Sequence, residues 1–172
     1  MTIAADTAAP PSHRWLRLGL AVIAAIELID ALSGAQNIFT DYYYDTALMR
    51  FAQTLGNIKL ALAPAIAATA LFYAARGNVR RAVLALAALV LMVWVLDDLP
   101  SVAIRGFELS PGYGGVEAFI HHFIFPAVAL AGAVLAIKER RLALAGLLVS
   151  LPTIFNWASV AALTIAIMIY GF

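Results

Sequence analysis

Long apolar runs broken by short polar stretches set the pattern of this chain. Five runs have the length that crosses a bilayer core as a helix, about 20 residues, and they cover about 15–39, 51–75, 82–99, 116–137 and 142–170. The breaks between them are sharp: the tyrosine-rich 41–45, the arginine-rich 76–81, the Pro/Gly-rich 100–115 and the basic 138–141. The pattern predicts an all-α polytopic membrane protein, five transmembrane helices in one bundle. Residues 1–12 are polar and proline-bearing and read as a disordered cytoplasmic tail preceding the five-helix domain 13–172. Gly106, Gly112, Gly114 and Gly115 with Pro111 argue against a regular helix across the long third connection, and the third helix is expected to end near Pro100. Glu27 and Asp30 inside the first run disfavour a cleaved signal peptide.

Composition supports the same class. Of 172 residues 64% are hydrophobic and 12% charged, against about 45–50% and about 25% in soluble domains. The mean hydropathy of +0.93 makes lipid the expected solvent for most of the surface. With no cysteine, disulfides, thiolate metal sites and a cysteine nucleophile are excluded. Eleven basic residues against 10 acidic ones leave no polycationic face for nucleic acid.

Basic residues stay on the cytoplasmic side of short loops, so their distribution gives an orientation. Arg14, Arg17, Arg76, Arg80, Arg81, Lys138, Arg140 and Arg141 make eight on one side, and Arg50 and Arg105 make two on the other. The amino terminus is therefore expected inside and the carboxyl terminus outside, in an arrangement suited to a bacterial inner membrane.

Ionisable residues within spans are costly and suggest function. At 1.5 Å per helical residue, Glu27 lies about 18 Å from the cytoplasmic end, Asp30 about 22 Å, Asp97 and Asp98 about 24 Å, Lys59, His121 and His122 about 25 Å, and Asn156 about 22 Å. All fall in one slab in the outer half. Glu27 and Asp30, three apart, share a helical face, as do Glu117 and His121, four apart. Neighbours such as Asp97 and Asp98, or His121 and His122, diverge by about 100°, so each pair sends at most one member to the bundle centre. Asn57 and Lys59 lie about 200° apart and should not both point inward. Five carboxyl groups against Lys59 would leave this layer at minus four, a charge that a low-dielectric site does not hold unpaired. Protonated acids, charged histidines or a bound cation must make up the difference.

The catalytic candidates are Glu27, Asp30, Asp98 and His121, whose crowding can separate pKa values as acid–base work requires. Trp94, Phe123, Asn156 and Trp157 are the candidate substrate-binding walls. Glu27, Asp30, Asp98, Glu117, His121 and His122 form a candidate ligand set for a divalent metal such as zinc or iron, although neither the Glu-x-x-His nor the His-Glu-x-x-His motif is present. Three functions fit this layer. One is an enzyme acting on a lipid-like or isoprenoid-like small molecule taken from the bilayer into an outer-half cavity. The second is a proton- or cation-coupled transporter or channel component, which the lack of polar side chains in the cytoplasmic halves disfavours. The third is a non-catalytic subunit or assembly factor, paired with itself or with another membrane protein.

Overall fold

The structure, a computed structural model, describes residues 11–40, 46–106 and 113–171. Among these residues every element is helical, and five helical stretches are long and apolar enough to cross a membrane: Arg14–Ile38, Ala47–Ala75, Val79–Ile104, Gly114–Ile137 and Leu142–Tyr170. Helix α1 runs over Pro11–Ala35, so the last two residues expected in the tail are helical, while 1–10 and the tyrosine-rich break 41–45 lie outside the described residues. Helix α2 spans Ala47–Ala75 and α3 spans Val79–Val93.

The third span does not stop at Pro100. A π-helical turn, Trp94–Asp98, leads directly into α4, Leu99–Arg105. A proline in a helix's first turn forfeits no bond that the helix needs, and the wide π turn lets Leu99 N–H reach the carbonyl of Trp94, five residues back. The fourth span repeats the arrangement. Helix α5, Tyr113–Phe119, passes through a π turn at Ile120–Ile124 into α6, Phe125–Ile137, with Pro126 just inside. The last helix, α7, covers Leu142–Tyr170.

Local chemistry explains the ends. Thr46 caps α2 by accepting from the Met49 amide at 3.2 Å, and Asn78 caps α3 by accepting from the Arg81 amide at 3.1 Å. Helix α2 stops at Gly77, whose φ of 78° suits glycine. A side chain there would meet Arg17, since a Cβ would sit 2.9 Å from its Cζ. Arg17 in turn donates to the Ala75 carbonyl at 3.0 Å, tying α1 to the end of α2.

Helix α3 is the hub, packing against α1, α2, α6 and α7. The core lies in the half of the bundle nearer the arginine-rich turn, where Leu20, Val83, Leu86 and Val149 are fully buried among Ala24, Ala70, Ala74, Ala87 and Ala145. Alanine and glycine let helix backbones approach closely, the usual device where lipid gives no hydrophobic drive between helices. Gly132 shows how close: a Cβ on it would lie 2.7 Å from Val149 and 3.1 Å from the Ala145 carbonyl oxygen. The outside is apolar, with Val22, Ile29, Leu130, Leu147 and Leu163 all exposed. That inside-small, outside-apolar distribution is that of an integral membrane protein.

Candidate functional site

Just beyond this core the helices separate around a chamber of about 140 Å³. Glu27 from α1, Asp98 and Trp94 from the first π turn, His121 from the second, and Asn156 from α7 all face it. Leu89, Val90 and Val93 line its α3 side, and Phe125, Pro126 and Pro152 complete it. Asn156 lines the chamber and is exposed, so the chamber opens past the α7 wall.

The two π turns set the polar side chains. Each adds a residue to its helical turn, which rotates everything after it, and such bulges are common at functional sites. Pro126 has no N–H to give the carbonyl of His122, four residues before it. The indole Nε1 of Trp94 donates to that oxygen at 3.0 Å instead. One π turn is therefore bonded to the other at a carbonyl that Pro126 cannot serve. The Nδ1 of His122 lies 2.7 Å from the Ala118 carbonyl oxygen, which can only accept, so the proton sits on Nδ1. The His121 ring packs edge-on against Phe125, centroids 4.7 Å apart, and against Phe155 at 6.3 Å.

Glu27 is fixed from α7, where the Thr153 hydroxyl donates to its Oε1 at 2.5 Å. Thr153 is buried, and nothing in the pattern of polar positions singles it out beforehand, because a threonine at a span's middle looks like a β-branched core residue. Asp98 lies within electrostatic reach of His121, His122, Asp97 and Lys59.

The adjacent aspartates part company, only one of them facing the chamber. Asp97 turns away from the chamber and pairs with Lys59 at 2.5 Å. Lys59 is thereby committed to Asp97, leaving the charge of Glu27 and Asp30 unmatched by it. The pair lies in a second, polar cavity of about 430 Å³ between α2, α4 and the short 3-10 turn Gln36–Phe39 that follows α1, lined also by Asn37, Gln53, Asn57 and Ser101. Asn57 and Lys59 thus both line one cavity, contrary to their angular separation, because the long lysine stem carries its charge around the helix to Asp97.

The remaining sequence candidates lie elsewhere. Asp30 is exposed on α1 and makes no hydrogen bond or ion pair among the described residues; its carboxyl acts on Glu27 through space. Glu117 is half-buried and does not line the chamber. Phe123 and Trp157, expected as walls, are 51% and 50% exposed. Phe125, only 7% exposed, takes the wall position, with Phe155 packed beside it. Among the described residues no three histidine, aspartate or glutamate side chains are grouped so as to hold a metal ion, and the six proposed ligands are spread between the chamber and its surroundings. Compared with protein-family models, with curated proteins and with solved structures, the chain has no significant match.

Proposed function

We propose that the chain is a membrane-embedded enzyme that carries out acid–base chemistry on a lipophilic molecule. The observation that carries this reading is the meeting of Glu27, Asp98 and His121, from three separate spans, at one small chamber with apolar walls. Two or more proton-carrying groups in a water-poor site are what proton abstraction and return require. Thr153 holds one oxygen of Glu27 and leaves the other to exchange a proton with a ligand. Asp98 and His121, which line the same chamber, supply the second exchange. Asn156 stands at the opening and orients a carbonyl or hydroxyl, while the apolar remainder of the molecule stays in the bilayer.

A conducting role fits less well. Leu20, Val83, Leu86 and Val149 are fully buried beside the chamber on the arginine-rich side, so an ion leaving it that way meets packed hydrocarbon. In the orientation we infer from the eight-to-two distribution of basic residues, that plug lies on the cytoplasmic side, the chamber lies in the outer half, and a bacterial inner membrane is the setting.

The test uses protein in native-lipid nanodiscs, incubated in D2O with the total lipid extract of the host membrane and read by mass spectrometry. One lipid class should gain deuterium at carbon with the unaltered chain and lose that gain with Glu27→Gln or His121→Ala. Lipids no more labelled than in protein-free discs would contradict the proposal.

A further inference from the structure

At the arginine-rich end, the turn between α2 and α3 and the turn between α6 and α7 frame an open groove of about 840 Å³. Arg76, Arg80 and Arg81 line it together with Glu139, a balance of three positive charges against one negative. Arg80 is occupied by an ion pair with Glu139. The other two are held differently: the Arg76 guanidinium lies 4.5 Å from the Phe72 ring centroid and that of Arg81 5.4 Å from the Tyr73 centroid. Stacking fixes the flat face of a guanidinium and leaves its N–H edge available for a phosphate or carboxylate. Helix α7 begins in the same groove at Leu142 with no side chain capping its first amides, which adds partial positive charge.

The groove is also amphipathic. Leu84 and Leu142, near the starts of α3 and α7, form its flank. A soluble anion would use the charged rim alone. A phospholipid uses both, its phosphodiester against the arginines and its glycerol and upper chain against the leucines. We propose that this groove is a binding site for an anionic phospholipid, with Arg76 and Arg81 as the phosphate-binding residues. The site is separate from the chamber and does not depend on the chamber's chemistry.

The test places the full chain in nanodiscs of equal phosphatidylglycerol and phosphatidylcholine and measures, by native mass spectrometry, which lipid stays bound. Phosphatidylglycerol should be retained preferentially, and Arg76→Gln or Arg81→Gln should each lower that preference about fivefold, the size expected for one basic side chain at a charged bilayer surface. Glu139→Gln removes the competing anion and should raise the preference, which keeps the test decisive if an arginine variant fails to fold. Arg50→Gln, on the far side of the bundle, should leave it unchanged. Equal retention of the two lipids by the unaltered chain overturns the proposal. So does release of phosphatidylglycerol by millimolar inorganic phosphate, which would assign the groove to a soluble anion.

Discussion

Single side chains carry two kinds of information here. Glu27, Asp98, His121 and Asn156 stand out in the sequence because each interrupts an apolar run, Trp94 as a large aromatic in the outer half, and the structure brings these five to one chamber. Their partners do not stand out. Thr153, Phe125 and Phe155 are of types that fill any membrane helix, so their contacts become visible only with the fold. The bond from Thr153 to Glu27 is the clearest case, and it predicts a stability effect. Thr153→Val keeps the shape and removes the donor, and should destabilise the chain by about 0.6–2 kcal/mol in detergent-induced unfolding, the range for hydrogen bonds within membranes and to charged groups. In a Glu27→Leu background the same substitution should cost much less, because no acceptor is left. Equal costs in the two backgrounds would mean that the bond contributes nothing.

At the level of elements, the five apolar stretches were legible from hydropathy alone, and the π turns were not. Helical faces drawn at 100° per residue assume an unbroken ladder, and that assumption fails after Trp94 and after Ile120. This is why Phe125 replaces Phe123 as a wall and why Pro100 sits inside a continuous span. The signal was present in a weaker form. Each π turn ends two residues before a proline, and the acidic and histidine pairs lie within the turns. The bond from Trp94 to the His122 carbonyl makes this coupling measurable. Trp94→Phe should destabilise the chain by about 0.5–1.5 kcal/mol by removing that hydrogen bond. With Pro126→Ala the missing amide is restored, so the cost of Trp94→Phe should fall in the double variant. Additive costs would show that the indole and the proline act independently.

Across the whole molecule the two halves of the bundle do different work. Small residues pack the arginine-rich half tightly, and the turns at that end carry a net positive groove suited to lipid phosphates. Toward the other end the helices loosen around a polar cavity and, beside it, the chamber. The first π turn separates the two, presenting Asp97 with Lys59 to one and Asp98 to the other. The common depth of these groups is legible from the residue count along each span. The partition of charge is not, because it depends on which helix lies beside α2. The chamber requires residues from distant parts of the chain to meet in one place, and the absence of native cysteine allows a clean test. Glu27→Cys with His121→Cys, treated in native membranes with a short bifunctional maleimide, should give an intramolecular cross-link, while Glu27→Cys with the outward-facing Phe123→Cys should give none. Absence of a cross-link in the first pair, with both thiols shown to be reactive, would contradict the chamber and the chemistry assigned to it.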